Sequence, residues 1–137
     1  MMRFRLVHHF GDGFDHGDLF LDIGEEELPT FEMSAAGLHK LVAWIGSMDS
    51  GCPPGIGLGS LPGASADFAE TVHRKKNHRR KYMQYSGPIS HGRGEVQTAL
   101  EGELNFSFPG EQWPEKLWFW VQACEDSSKN HEKGNIP

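Results

Sequence analysis

Residues 3–23 read RFRLVHHFGDGFDHGDLFLDI, and this stretch decides the fold class. Side chains of contrasting polarity alternate along residues 3–9 and again along residues 16–23, which predicts two β-strands. The glycine-rich segment 11–13 between them is typical of a turn. The two strands can therefore pair as a hairpin.

The rest of the chain adds further short strands and one helix. Ser34 can cap a helix whose apolar side chains recur at i, i+3, i+4 and i+7, and Gly46 is a natural stop for it. Gly, Pro and Ser dominate residues 47–66, which predicts a long loop. Strands are also predicted at 28–33, around 73–85, and at 95–100, 103–108 and 117–122. The fold class is therefore mainly β: a small closed or partly open β-barrel with one flanking helix and a long Gly/Pro-rich loop.

The length and composition fit one folded domain. The chain has 137 residues, of which 37% are hydrophobic and 23% charged, and both values are typical of a globular protein. We predict a single domain over residues 1–124 and a flexible, solvated tail over residues 125–137. The apolar runs are far shorter than a bilayer span, which argues against a transmembrane helix.

Localisation and the state of the cysteines are predicted from the same sequence. The first residues lack the apolar segment of a signal peptide, which predicts a cytoplasmic protein with no membrane association. Cys52 and Cys124 lie outside any C-x-x-C pair, so a cysteine-based zinc site is not expected. In a cytoplasm both thiols are predicted to stay reduced.

Positive charge is concentrated in one segment of an acidic chain. The net charge is −6, yet residues 73–81 hold six of the thirteen basic residues and no acid. A focused basic patch can attract a phosphate-bearing ligand even on an acidic protein. The same segment can also be interpreted as a solvated charged strand or loop.

Three side chains of the predicted hairpin could bind a metal ion. His16 and Asp18 are two residues apart on one strand, so their side chains leave the same face. His9, on the preceding strand, can supply a third donor if the strands pair. A His-His-Asp set suits Mn²⁺, Fe²⁺ or Zn²⁺ and leaves coordination positions open. The alternative is a surface hydrogen bond between His16 and Asp18.

A second set of side chains could bind an anionic oxygen. If residues 78–82 continue a strand, then His78, Arg80 and Tyr82 share a face and present three hydrogen-bond donors. Arg93, between two glycines, could add a bidentate contact. The alternative is an exposed basic strand with Tyr82 packed sideways.

Taken together, these stretches resemble the 3′-phosphoesterase domain of bacterial DNA ligase D and its stand-alone, diverged relatives. The likeness lies in three stretches that occur in the family's order: residues 3–9, the H-x-D motif of residues 16–22, and residues 78–96, which end in SGPISHGRGEV. The resemblance is carried by the order of the three motifs as well as by their residues.

This resemblance implies a compact β-barrel and one divalent metal ion, typically manganese. It also implies removal of 3′-phosphates or 3′-terminal ribonucleotides from nucleic-acid ends during DNA repair. Carried over position by position, the metal ligands are His9, His16 and Asp18. His78 and Tyr82 match the family's histidine and tyrosine that hold the scissile phosphate.

Two departures from the family pattern leave a second function open. Phe20 stands where the ligase domains have an arginine on the phosphate, and Lys76 stands where they have an acid. Unless Arg80 or Arg93 replaces the missing guanidinium, these changes favour a non-catalytic module that binds phosphate or nucleic acid. Phe20 is predicted to point toward the site, since it shares a strand face with the metal-ligand candidates of that strand.

A third function, from a different class, also fits an H-x-D pair. A distant histidine would complete the facial triad of an Fe(II) oxygenase, with His73, His78 or His91 beside His16 and Asp18. The chain is short for such an enzyme, and the R-G-x-V segment is better explained by the phosphoesterase likeness.

Overall fold

The computed structural model describes residues 1–48, 51–107 and 112–124. Its strands are β1 (Met2–Gly11), β2 (Phe14–Asp22), β3 (Glu27–Ser34), β4 (Gly55–Gly59), β5 (Phe68–Arg79), β6 (Gly87–Pro88), β7 (Glu95–Ser107) and β8 (Lys116–Gln122). The helix α1 spans Ala35–Gly46, and a 3₁₀ turn spans Arg80–Met83. The tail predicted over 125–137 lies outside the described residues.

Seven of these strands close into a barrel. Their order is β1-β2-β3-β5-β8-β4-β7, and β7 pairs with β1 to complete the circle. Neighbouring barrel strands are antiparallel except β4 and β7, which are parallel. The short strand β6 pairs with the first residues of β7. Over the described residues, the prediction of a mainly β barrel with one α-helix is confirmed.

The hairpin β1–β2 has two faces with different surroundings. His9 lies opposite His16 in its register. The face that carries Leu6 belongs to the barrel core. The opposite face carries Val7 and Phe20, which pack in a smaller apolar cluster beneath the 3₁₀ turn. Each face of the hairpin is therefore occupied by a different set of neighbours.

The barrel core draws side chains from every barrel strand and from α1. Ser34 Oγ accepts a hydrogen bond from the Gly37 amide at 3.1 Å, so the predicted helix N-cap is confirmed. From α1, Leu38 and Leu41 join the core. The complete burial of each side chain of this size stabilises the fold by about 1.5–3 kcal/mol relative to its exposure to water. Across the described ranges, the helix content includes nothing long and apolar enough to cross a bilayer.

The segment predicted as a long loop contains strand β4. Ile56 and Leu58 alternate inward and are buried, whereas glycines occupy the alternate positions 55, 57 and 59. A Cβ added at Gly57 would lie 2.1 Å from the Trp120 ring, so the ring can cover β4 only because residue 57 is glycine. At Gly57, therefore, the glycine reflects close packing on a short strand and not a loop.

The two cysteines form a disulfide, so the prediction of reduced thiols is wrong for this structure. Cys52 precedes β4 and Cys124 follows β8. The antiparallel pairing of these strands places Gly55 opposite Gln122 and brings the two cysteines to the same end of the pair. Their Cα atoms are 5.7 Å apart, a usual distance for a disulfide.

Candidate metal centre and adjoining basic cavity

Three donor atoms converge on the outer face of the β1–β2 hairpin. His16 Nε2 lies 3.3 Å from His9 Nδ1 and 3.3 Å from Asp18 Oδ2, and the distance from His9 Nδ1 to Asp18 Oδ2 is 3.8 Å. Neighbouring donors around one ion with bonds of about 2.0–2.2 Å lie about 3–3.5 Å apart. The three side chains therefore have the chemistry and nearly the spacing that a divalent ion requires, as the strand pairing predicts.

The second ring nitrogen of His9 is held by the backbone. The Arg93 carbonyl can only accept, so His9 Nε2 donates to it, at 2.6 Å. This bond leaves Nδ1 with its lone pair facing the other donors, an arrangement common among metal-binding histidines. The Phe14 ring stacks on His9 with centroids 4.3 Å apart. His9 is thus oriented from two sides.

Lys75 holds the third donor in place, and the sequence pattern does not single it out among the cations of residues 73–81. Its Nζ lies 2.9 Å from Asp18 Oδ1 and 2.8 Å from Glu32 Oε1. The ammonium therefore binds one oxygen of Asp18 and leaves Oδ2 directed at the histidines. The Asp18 side chain is 3% exposed and that of Lys75 28%, so the carboxylate end of this pair is shielded from water.

Charge pairing outweighs burial for both partners. Burial, the largest influence, raises the pKa of Asp18, but the His16 hydrogen bond and the charge of Lys75 bring it below its ordinary value. Burial likewise acts most strongly on Lys75 and lowers its pKa, yet attraction to Asp18 and Glu32 leaves that pKa raised. Asp18 is therefore ionised at neutral pH, which is the form that binds metal.

A cavity of about 460 Å³ opens beside this donor cluster. His9 and Asp18 form part of its wall, and β5, the 3₁₀ turn and the segment after β6 form most of the rest. Among the described residues that line it, Asp18 is the only acid, and four are permanent cations: Lys76, Arg79, Lys81 and Arg93. These charges favour an anionic ligand next to the candidate metal centre.

His78 and Tyr82, the predicted phosphate contacts, both line this basic cavity. Phe20 lines it as well, as its strand face predicts. Its ring centroid lies 5.0 Å from that of His78 and 6.0 Å from that of Tyr82. Phe20 is 1% exposed, so its ring supports the two polar side chains from below and presents little surface to solvent.

At neutral pH and without a bound anion, the neutral form of the His78 imidazole is favoured. Burial is the main reason that its pKa lies below the ordinary value. Nδ1 donates to the Lys76 carbonyl at 3.1 Å, which leaves a lone pair on Nε2. A bound anion favours protonation of Nε2, and the imidazolium can then donate to an anionic oxygen.

The structure separates Arg80 from the cavity, so the predicted shared strand face is wrong at this position. Strand β5 ends at Arg79, and residues 80–83 form a 3₁₀ turn in which side chains no longer alternate between two faces. The Arg80 guanidinium pairs instead with Asp22, with Nη1 2.8 Å from Oδ1. Arg80 therefore fixes the turn to the end of β2.

Arg93 does line the cavity, and its backbone also serves the metal candidate. Its Nε donates to the Ser90 carbonyl at 2.8 Å, while its own carbonyl accepts from His9. The next residue, Gly94, has a φ of 77°, and a Cβ there would lie 2.4 Å from the Phe10 carbonyl oxygen. Only glycine allows the chain to approach β1 so closely at this point.

Arg5 supports the 3₁₀ turn from below, and the sequence pattern identifies its face but not its partners. The side chain is 2% exposed and lies on the same strand face as His9. Its Nη1 donates to the Tyr82 carbonyl at 2.8 Å and also to that of Tyr85, and its Nε donates to Thr98 Oγ1 at 3.0 Å. Arg5 thereby positions the backbone that carries Tyr82.

Within the part of the chain that the structure describes, the distant histidines of the oxygenase hypothesis add no donor to His16 and Asp18. Among the described residues, the group of donor atoms that contains His16 and Asp18 has His9 as its third member. The distant histidines considered for a facial triad are not members of it: His73, His78 and His91.

Comparisons with family models, with curated proteins and with solved structures found no match to this chain. The likeness to the ligase D phosphoesterases therefore depends on the quoted sequence motifs alone. The class that the fold and the site define is a β-barrel with a His-His-Asp cluster beside a basic cavity.

Proposed function

We propose that this protein is a metal-dependent phosphoesterase that acts on the 3′ ends of nucleic acid and releases a 3′-phosphate or a 3′-terminal ribonucleotide. One observation carries the proposal: a His-His-Asp donor cluster adjoins a cavity lined by four cations, and its members His9 and Asp18 form part of the cavity wall. The geometry supports a metal ion beside a phosphate. The choice of 3′ ends comes from the sequence likeness.

In this proposal His9, His16 and Asp18 hold the ion, with Mn²⁺ foremost and Zn²⁺ or Fe²⁺ also compatible with these donors. When bound, such an ion polarises a phosphate oxygen and lowers the pKa of a coordinated water. Lys75 keeps Asp18 ionised and correctly oriented. The Arg93 carbonyl keeps the His9 ring in the productive tautomer.

The polar side chains of the cavity hold the phosphate. His78, protonated as the anion binds, donates from Nε2, and Tyr82 donates its hydroxyl hydrogen. Arg93 keeps N–H groups available beyond its contacts with Ser90. Donors arranged in advance around a phosphate stabilise the charge that develops in the transition state.

The test is phosphate release from a DNA primer-template with a 3′-phosphate, measured with Mn²⁺ and with the purified protein. His16→Ala removes the central donor, and we expect release to fall by at least about 10²-fold. His73→Ala is the matched control, since it removes an exposed histidine of β5 that neither lines the cavity nor belongs to the donor cluster. That variant should retain wild-type activity.

Two results would exclude the proposal. One is a wild-type protein that binds Mn²⁺ and yet releases no phosphate or ribonucleotide from any 3′ end offered. The other is activity that survives His16→Ala. Loss of activity in both histidine variants would point to a folding defect, which the thermal unfolding midpoint of each variant distinguishes from loss of a ligand.

A non-catalytic module that binds phosphate or nucleic acid is the second candidate, and Phe20 is the observation that favours it. Its phenyl ring lines the cavity where the resemblance places a guanidinium, so one transition-state donor is missing. A DNA-binding assay at several salt concentrations, run beside the phosphate-release assay, separates the binding module from the phosphoesterase. A module binds DNA with a steep salt dependence and leaves the 3′-phosphate in place.

A further inference from the structure

The hairpin β1–β2 carries a second group of metal-binding side chains on its other face. Successive strand residues point to opposite sides, so His8 and Asp15 lie behind His9 and His16. His8 follows Leu6 on the core-facing side of β1, where α1 covers the sheet. The helix adds His39 to this pair. The three residues are called the helix-side cluster below.

The donor atoms of the helix-side cluster lie within 4.8 Å of one another. His8 Nε2 is 2.7 Å from Asp15 Oδ1, and His39 Nε2 is 3.7 Å from the same oxygen. The two imidazole rings meet edge to face with centroids 5.5 Å apart. Small rotations of exposed side chains suffice to reach the spacing of about 3–3.5 Å around one ion.

The composition of the helix-side cluster favours a metal ion over an ordinary ion pair. His8 already hydrogen-bonds Asp15 Oδ1, and the second imidazole, that of His39, is directed at the same oxygen from 3.7 Å without adding a hydrogen bond to the pair. One ion with two nitrogen donors and one oxygen donor accounts for all three side chains.

Space for further ligands adjoins this cluster. His8 and His39 line a groove of about 430 Å³ between α1 and β7, together with Gln97 and Thr98. An ion held by three side chains keeps at least one position for water or a small ligand, and the groove offers room for it.

We propose that His8, Asp15 and His39 form a second divalent-metal site, distinct from the candidate centre at His9, His16 and Asp18. Nitrogen-rich donors of this kind select Zn²⁺ and similar ions over Mg²⁺ or Ca²⁺, which prefer oxygen. The bound ion links α1 to the β1–β2 hairpin. This site does not depend on phosphoesterase activity.

The experiment measures Zn²⁺ binding to tag-free, chelator-stripped protein by competition with a chromophoric chelator. We expect two equivalents for the wild type, and one for His39→Ala, which leaves the other donor cluster intact. His16→Ala should also bind one equivalent, at the helix-side cluster. His73→Ala, the loss of an exposed histidine outside both clusters, should still bind two.

The double variant His16→Ala/His39→Ala isolates the helix-side cluster. Its Zn²⁺ affinity should be at least about 10–100-fold lower than that of His16→Ala, since loss of a ligand costs no less than loss of its supporting hydrogen bond. Zn²⁺ should also raise the thermal unfolding midpoint of His16→Ala but not that of the double variant. Mg²⁺ should do neither.

The proposal is overturned if His39→Ala binds as much Zn²⁺ as the wild type, or if the double variant keeps the affinity of His16→Ala. If only the centre at His9, His16 and Asp18 fails to bind metal, the result is different. The wild type and His16→Ala then each bind one equivalent of Zn²⁺, and His39→Ala binds none. If His16→Ala does not fold, the comparison of wild type with His39→Ala decides alone.

Discussion

Lys75 has a role that arises only when the chain folds. It is the counter-ion of a buried carboxylate that, in the proposed function, also binds a metal. A buried carboxylate without a cation is strongly destabilised, because burial penalises the charge that pairing compensates. Lys75 and a metal ion therefore stabilise the same group in two different ways.

Lys75→Met should lower the free energy of unfolding of the metal-free protein by about 3 kcal/mol, since Asp18 loses its partner. Added Mn²⁺ or Zn²⁺ should then stabilise Lys75→Met more than it stabilises the wild type, because the ion replaces the missing cation. Urea unfolding with and without metal measures both effects. Lys76→Met, a change at the exposed neighbouring lysine, is the control and should leave both quantities near their wild-type values. A smaller metal-induced gain in Lys75→Met than in the wild type would contradict the counter-ion role.

At the scale of elements, the junction of β5 and the 3₁₀ turn decides which side chains reach the cavity. Arg80 binds both oxygens of Asp22 and the Glu25 carbonyl, and so ties the turn to the end of β2. The Arg80 hydrogen bond is the main reason that the pKa of Asp22 is lowered. Since this turn carries Tyr82, the ion pair also positions a cavity residue.

The pH dependence of stability should report this ion pair. A carboxyl group with a lowered folded-state pKa stabilises the fold above its unfolded value of 3.8 and loses that contribution as pH falls through the folded value. The difference in unfolding free energy between wild type and Arg80→Ala should therefore be constant from pH 5 to 8 and shrink below about pH 4. Urea unfolding of the metal-free proteins at each pH measures it. Arg79→Ala, one residue earlier, should show no such pH-dependent difference, and a gap that stays constant down to pH 2 would count against the pairing.

At the scale of the whole molecule, the disulfide closes a long segment of the barrel. Cys52 and Cys124 are separated by 72 residues, and this segment includes strands from β4 to β8. A cross-link over such a distance mainly reduces the conformational entropy of the unfolded chain. The disulfide therefore stabilises the barrel as a whole.

Replacement of both cysteines by serine should lower the unfolding free energy by about 4 kcal/mol, the chain-entropy expectation for a loop of this length. Thiol titration in denaturant provides the direct measurement. We expect no free thiol before reduction and two after it. Two free thiols in the untreated protein, or equal stability with and without a reductant, would show that the cross-link is absent.

The local sequence pattern was sufficient to predict the hairpin β1–β2 and the helix α1, whose residues are close together in the chain. The alternation in residues 3–9 and 16–23 specifies a hairpin, and period 2 then assigns each side chain to a face. The donor cluster of His9, His16 and Asp18 follows from that register, since a short turn leaves few ways to pair the strands. The helix after Ser34 follows equally from its cap and its apolar spacing.

Only the tertiary structure decided the features that depend on residues far apart in the chain. The Cys52–Cys124 disulfide requires β4 to pair with β8, and the position of Lys75 requires β5 to pair with β3. Arg80 leaves the cavity because a 3₁₀ turn replaces the strand after Arg79. The physical reason is that residue type and period specify the face of a strand, whereas strand order in a barrel depends on the packing of the whole core.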